Sequence, residues 1–278
     1  MSQLDRYAVM GNPIAHSKSP MIHTLFARET GQKLEYRAIL VELGQFADAV
    51  QAFRAEGGKG LNVTVPFKRD AWRLVDERSA CAALAGAVNT IQFREDGTLY
   101  GDNTDGIGMI RDIRDNLGVA IAGKRVLLLG AGGAVRGVLG PLLEEKPATV
   151  VIANRTPDRA QELADAFEEQ GRVEGSSFAD LDGTRYDIVI NGTSASLKGE
   201  APPLPEGILA RDAFCYDMMY AAEPTAFMRW ADDEGCERVA DGLGMLVEQA
   251  AESFRLWRGV RPQTAPVIKA VREALLKG

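Results

Sequence analysis

Residues Lys124–Thr156 narrow the fold more than any other stretch of this chain. Arg125-Val126-Leu127-Leu128-Leu129 reads as a buried strand. Gly130-Ala131-Gly132-Gly133-Ala134 follows, then a helix to about Glu145 and a second strand over Thr149–Ala153. A glycine turn between a parallel strand and a helix lets backbone approach a pyrophosphate, and the helix N-terminus stabilises the charge. NAD sites of this kind carry an acidic residue about 20 residues further on, for the ribose hydroxyls. Here Asn154-Arg155-Thr156 holds that place, with Arg159 one helical turn further. A guanidinium there favours a 2′-phosphate by charge and by bidentate geometry. The stretch therefore predicts an NADP(H) site. Val135 stands where a third glycine often lies, so the strand–turn–helix–strand context carries the reading rather than the glycines alone.

Length and composition set the outer limits. At 278 residues, with 46% apolar and 26% charged, the chain suits one large or two medium globular domains. A net charge of −7 gives no electrostatic footprint for nucleic acid or an anionic membrane, so local groups must hold any anionic ligand. No window approaches about 18 uninterrupted apolar residues, and Met1–Arg6 lacks the basic and apolar regions of a signal peptide. Cys81, Cys215 and Cys236 are odd in number and widely spaced, and read as reduced, buried small hydrophobes. Cytoplasm is the expected compartment. His16 and His23 read as structural or surface histidines, and no Cys/His pattern suggests a metal.

The first third alternates strands and helices: Tyr7–Met10, a helix with Ser19 as N-cap and Pro20 at its first position, Tyr36–Val41, and a helix over Gln45–Glu56. Gly57-Gly58-Lys59-Gly60 reads as a turn, Leu61–Val65 as a strand and Pro66 as a helix restart. Val88–Arg94 and Thr98–Tyr100 flank Asp96-Gly97, a hairpin signal that departs from the parallel pattern. After the dinucleotide unit come a helix over Pro157–Glu169, strands over Tyr186–Ile190 and Phe214–Met218, and two final helices, Gly244–Arg258 and Pro266–Lys277. These helices are free to return to the first domain. The fold class expected is α/β with two domains. Residues 1–104 plus 240–278 form the substrate domain, and 105–239 a Rossmann-type NADP-binding domain.

Three segments carry polar residues where apolar ones would cost less. Gly11–Pro20 places Ser17 and Ser19 at a helix start, where unpaired N–H groups and the dipole suit a carboxylate. Asn62–Lys68 ends a strand at Thr64 and puts Lys68 in the first turn of a helix. The dipole disfavours a cation there, which suits a lysine that gives up and retakes a proton. Asn89-Thr90 and Gly101–Gly106 add Asn89 and Asp105, so strand mouths would gather a polar cluster facing the crevice where α/β sheets bind ligands.

Together these motifs are similar to those of one family. Ser17-Lys18-Ser19-Pro20, Asn62-Val63-Thr64-Val65-Pro66-Phe67-Lys68, Ala87-Val88-Asn89-Thr90, Gly101-Asp102-Asn103-Thr104-Asp105-Gly106, Gly130–Ala134, Asn154-Arg155-Thr156 and Asp241-Gly242-Leu243-Gly244-Met245-Leu246-Val247 resemble shikimate dehydrogenase, in the family's order, from about residue 7 to 270. The resemblance implies reversible NADP-dependent reduction of 3-dehydroshikimate to shikimate, in aromatic amino-acid and chorismate biosynthesis. It implies Lys68 as acid/base with Asp105 as its partner. Ser17, Ser19, Thr64, Asn89, Tyr220 and Gln249 would hold the substrate with them. Gly130, Ala131, Gly132, Gly133, Ala134, Asn154, Arg155, Thr156 and Arg159 would hold NADP, with Met218 and Gly242 on the nicotinamide side. Ser196 departs from the family, which usually has glycine there. An enzyme of this fold acting on quinate with NAD is the nearest rival, and a non-catalytic NADP-binding module the rival of a different class. The partners expected are small molecules, with no nucleic acid or membrane. Oligomeric state is not written in the sequence, and a homodimer stays open.

Overall fold

A computed structural model describes residues 4–181, 183–193, 195 and 199–277. The chain forms two compact units, one from Met1–Gly108 with Val247–Ala274, the other from Met109–Leu246 with Leu275–Gly278. Both internal divisions fall within helices (Asp105–Arg111 and Leu243–Arg258) rather than at the expected positions 104/105 and 239/240.

The first unit is built on a six-stranded sheet: β1 (Asp5–Gly11), β2 (Leu34–Leu40), β3 (Gly58–Val63), β4 (Glu77–Arg78), β5 (Thr90–Phe93) and β6 (Leu99–Asp102), in the order β2-β1-β3-β5-β6-β4. β1 pairs in parallel with β2 and β3, while β5 runs antiparallel to both β3 and β6. The Asp96-Gly97 hairpin is present: Asp96 accepts from the Thr98 N–H at 2.9 Å, and Gly97 sits at φ 95°. Its helices are α1 (Ser19–Glu29), α2 (Phe46–Ala55), α3 (Lys68–Leu74), α4 (Ala80–Ala85) and α5 (Asp105–Arg111), which crosses the division. A core of Met10, Phe46, Val50, Phe53, Leu61, Phe67 and Ile91 lies against the sheet.

Two expectations are corrected here. Ser19 lies inside α1 rather than capping it; Lys18 is the N-cap residue, and its side chain makes no capping bond. Gly58 and Gly60 belong to β3, not to a turn. A Cβ on Gly60 would lie 2.5 Å from the Trp257 indole nitrogen and 2.8 Å from the Ile91 carbonyl, so glycine is what lets neighbouring chain close over the strand. β3 accordingly ends at Val63, and Thr64 and Val65 lie beyond it.

The second unit contains β7 (Arg125–Leu129), β8 (Thr149–Ala153), β9 (Val173–Ser176), β10 (Tyr186–Asn191), β11 (Leu209–Asp217) and β12 (Arg238–Asp241), all parallel, in the order β12-β11-β10-β7-β8-β9. Counted along the chain this is the doubly wound dinucleotide-binding order, reversing between β7 and β10. Strands β7, β8 and β10 are near-continuous apolar runs, as burial on both faces requires. β9 and β12, short edge strands, escape sequence reading because their residues are mixed and partly exposed. Helices α6 (Gly133–Glu144), α7 (Pro157–Asp165) and α8 (Ala226–Asp233) belong to this unit, and α7 buries Ala160, Leu163 and Ala164. α9 (Leu243–Arg258) and α10 (Ala265–Leu276) complete the chain. Among the described residues no helix is long and apolar enough to cross a membrane. Cys215 and Cys236 are buried, Cys81 partly so, and none of the three forms a disulfide.

Candidate active site and dinucleotide pocket

In the first unit, the ends of β1 and β3 bring two of the polar segments side by side. The Thr64 N–H donates to the Met10 carbonyl at 3.0 Å, and the Asn12 N–H to the Val65 carbonyl at 3.0 Å. A Cβ on Gly11 would meet Thr64 Cγ2 at 2.4 Å, so the missing side chain makes room for Thr64. Ser17 Oγ accepts from the Ser19 N–H at 3.3 Å, which satisfies one open donor of α1. His16 is exposed, whereas His23 is fully buried.

Lys68 opens α3 directly after Phe67, which is buried and stacked on Phe46 at 5.2 Å between centroids. This anchors the helix start, and the Lys68 carbonyl accepts from the Val88 N–H at 2.9 Å. Lys68 Nζ donates to Asp105 Oδ2 at 2.6 Å, their side chains 31% and 15% exposed. The charge that the α3 dipole disfavours is thus met by a carboxylate. That carboxylate sits at the first residue of α5, where an anion is favoured. Asn103, not Asp105, satisfies the α5 start: its Oδ1 accepts from the Asp105 N–H at 3.1 Å. Both Asp105 oxygens remain aimed at side chains.

Asn89 Nδ2 donates to the second oxygen, Asp105 Oδ1, at 2.8 Å, and lies 3.4 Å from Gln249 Oε1 on α9. The β3–β5–β6 ladder fixes Asn89, whose N–H donates to the Asp102 carbonyl at 3.0 Å and whose carbonyl accepts from the Val63 N–H at 2.8 Å. Behind it lies a buried polar layer of Asn62, Thr90, Thr104 and Ser253. Sequence reading assigned these four no role. The signal was available, since an asparagine inside Leu61-Asn62-Val63 must find partners if it is buried.

The second unit presents a cavity of about 510 Å³ lined by Gly130–Ala134, Asn154, Arg155, Arg159, Phe178, Gly192, Thr193 and Ala195, with Glu200, Pro202 and Pro203. It lies past the ends of β7, β8 and β10, at the strand-order reversal. The residues present fit a dinucleotide. Gly130 adopts φ 102°, a left-handed conformation that favours glycine. A Cβ on Gly132 or Gly133 would point into open space, and α6 begins there with no side-chain cap, leaving its first N–H groups for a ligand. Arg155 and Arg159 are exposed and form no ion pair among the described residues. Val135 is compatible because the small partner sits on the opposing strand end: a Cβ on Gly192 would meet Val135 at 2.4 Å. Asn154 Nδ2 donates to the Thr156 carbonyl at 2.9 Å, shaping the turn before α7.

Met218 and Gly242 also touch in this unit; the Met218 carbonyl would lie 2.3 Å from a Cβ on Gly242. Tyr220 is half-buried, and burial first, then the Asp241 charge, raises its phenol above the usual range. The sequence overlooked Asn191 and Asp217, which order this edge. Asn191 Nδ2 donates to Asp217 Oδ1 at 3.1 Å and its Oδ1 accepts from the Thr193 N–H at 3.1 Å. Asp217 Oδ2 accepts from Thr225 Oγ1 at 2.6 Å. Ser196 lies outside the described residues. Among the described residues no His/Cys/Asp/Glu group is arranged to hold a metal ion.

Three family descriptions match the chain: the shikimate dehydrogenase substrate binding domain over residues 9–91, the shikimate / quinate 5-dehydrogenase over 113–198, and the shikimate 5′-dehydrogenase C-terminal domain over 242–272. A shikimate dehydrogenase (NADP(+)) from Hahella chejuensis is 57% identical over 270 residues, covering 97% of this chain and 99% of that one. The crystal structure of an Ael1 enzyme from Pseudomonas putida superposes with a TM-score of 0.91 at 50% identity, covering 96% and 97% of the two chains. That of shikimate 5-dehydrogenase from Thermus thermophilus, in complex with NADP(H) and shikimate, gives 0.86 at 34% identity, covering 98% and 100%.

Proposed function

The chain belongs to the shikimate dehydrogenase family, and from that premise we propose that it catalyses the reversible, NADP-dependent reduction of 3-dehydroshikimate to shikimate in aromatic amino-acid and chorismate biosynthesis. The observation that carries the reading is the ammonium–carboxylate pair of Lys68 and Asp105 at 2.6 Å, held by Asn89 within one polar cluster.

The bound nicotinamide supplies a hydride to the carbonyl carbon. Charge then develops on the ketone oxygen, where Lys68 stands as the proton donor; in the reverse direction it takes the hydroxyl proton. Asp105 fixes the direction of the ammonium and accepts from an adjacent substrate hydroxyl. Asn89, Gln249, Thr64, Ser17 and Ser19 bind the remaining polar groups, and Tyr220 adds a further substrate contact. Ser17 and Ser19, near the start of α1, suit the carboxylate. The unit of Met1–Gly108 with Val247–Ala274 serves mainly the substrate and that of Met109–Leu246 mainly the cofactor. Gly130–Ala134 receive the pyrophosphate and Arg155 with Arg159 the 2′-phosphate, while Asn154 and Thr156 shape that corner and Met218 and Gly242 border the nicotinamide. A cytoplasmic homodimer completes the reading, and light scattering of the purified chain checks the assembly.

The experiment that tests the function records absorbance at the reduced-nicotinamide band for shikimate and quinate, each with NADP⁺ and NAD⁺. Shikimate with NADP⁺ should give the highest kcat/KM. A higher value for quinate with NAD⁺ would transfer the assignment to the rival activity, and no reduction of either cofactor would leave a binding module.

A further inference from the structure

We propose that Ser253, Thr90 and Asn62 are positioning residues for the Lys68–Asp105 pair, forming a one-way chain of hydrogen bonds that starts at His23 and Tyr36 and ends on Asp105. The inference rests on the reading of Lys68 as the acid/base and deepens it, because it names groups that touch neither substrate nor cofactor.

The direction of the chain follows from donor and acceptor bookkeeping. The Thr104 backbone N–H can only donate, and it donates to Asn89 Oδ1 at 2.9 Å. This fixes the Asn89 amide with its NH2 toward Asp105 Oδ1 at 2.8 Å. Thr90 Oγ1, 2.9 Å from Asn89 Oδ1, must therefore donate to it. With its proton so placed, Thr90 can only accept across its 2.7 Å contact with Ser253 Oγ. The Gln249 carbonyl, at 3.1 Å, is the longer alternative for the Ser253 proton. Ser253 in turn accepts from Asn62 Nδ2 at 2.9 Å. Asn62 Oδ1 is left to accept from Tyr36 OH at 2.7 Å and from His23 Nε2 at 3.1 Å.

Reversing the Asn62 amide breaks this sequence. Its oxygen would then face Ser253, and one of the three contacts Asn62–Ser253, Ser253–Thr90 or Thr90–Asn89 would hold two acceptors and no proton. Within a buried layer that arrangement is costly. His23 supplies an independent observation: it is 0% exposed, its ring stacks on Tyr36 at 4.1 Å, and Nδ1 has no partner among the described residues. A single proton on Nε2 is what the chain needs. Burial holds the His23 pKa down at about 3, so the ring is neutral at working pH. Bonds that all point one way polarise one another. Here they converge on a carboxylate whose other oxygen meets Lys68, so Asp105 cannot rotate without breaking a bond at each end.

The test uses the full chain with shikimate and NADP⁺ and five variants, Lys68→Ala, Thr90→Val, Thr90→Ser, Ser253→Ala and the double Thr90→Val/Ser253→Ala, with melting curves run alongside. Thr90→Val keeps the shape and removes the hydroxyl; it should lower kcat about tenfold or more with KM changed less than about threefold. Thr90→Ser, which restores the hydroxyl, should recover most of that loss. Thr90→Val combined with Ser253→Ala should fall no further than the worse single variant, because groups that act as a unit do not add. Equal turnover in Thr90→Val and Thr90→Ser, or losses that multiply in the double variant, would overturn the chain. Should Thr90→Val not fold, Ser253→Ala decides by the same kcat criterion, and unchanged turnover overturns the proposal. The His23 tautomer read from long-range proton–nitrogen spectra should be Nε2–H, and Nδ1–H would reverse the chain and refute it. A Lys68→Ala variant that keeps its turnover would instead remove the underlying reading, an outcome distinct from all of these.

Discussion

The two candidate sites are built by opposite means. In the first unit, side chains hold one another: Lys68, Asp105 and Asn89 are joined at 2.6 and 2.8 Å, over a layer of buried hydroxyls and amides. In the second unit, backbone does most of the shaping. Its glycines leave space, the first turn of α6 leaves donors open, and two exposed arginines stand without ion pairs among the described residues. A site made of mutually locked side chains is costly to alter but holds reacting groups in place. A site made of open backbone and solvated charge tolerates change and discriminates by charge. Substitutions in the first should therefore act on turnover, and those in the second on which cofactor is held.

The largest expected effect breaks the contrast if it fails. Lys68→Ala should lower turnover by about 10²–10⁴, the range of general acid catalysis, measured at saturating shikimate and NADP⁺. Next, Arg155→Ala should raise the KM for NADPH by about 10- to 100-fold, the loss of one charge-assisted contact, and that for NADH by less than about twofold. Equal effects on both cofactors would remove the 2′-phosphate argument.

A third substitution probes the scaffold rather than the chemistry. Gly60→Ala puts a Cβ against the Trp257 indole and the Ile91 carbonyl, and should destabilise the chain by about 1–3 kcal/mol in urea unfolding. A neutral result would mean that β3 yields more easily than its packing implies. The last prediction concerns His23. Its pKa is lowered from 6.5 to about 3 on folding. Between those values the unfolded chain binds more protons, so stability falls as pH drops from 6.5 toward 3, by up to about 1.4 kcal/mol per pH unit. His23→Phe should flatten that slope over pH 6 to about 4.5, and parallel slopes would show that His23 is not neutral in the folded state.

The comparison also explains what the sequence could carry. The second unit was legible because a buried parallel strand and a glycine turn are local signals, and β7, α6 and β8 fall where their residues predict. Edge strands β9 and β12 were not, since Val173–Ser176 and Arg238–Asp241 are only partly buried and lack a pattern. In the first unit Lys68, Asn89, Asp105 and Gln249 were named from motifs, and they meet in one cluster. The layer behind them stayed hidden. Ser253 lies 191 residues from Asn62, and only tertiary structure can pair two such positions. Gly58 and Gly60 misled for a related reason: glycine chosen for close packing looks, in sequence alone, like glycine chosen for a turn.

The most direct measurement is a calorimetric titration of shikimate into the Lys68→Ala variant. If the ammonium serves proton transfer inside a cluster already assembled by its neighbours, affinity should stay within about tenfold of the parent chain while turnover is lost. If affinity falls by the same factor as turnover, Lys68 is a binding group and the account of the first site is wrong.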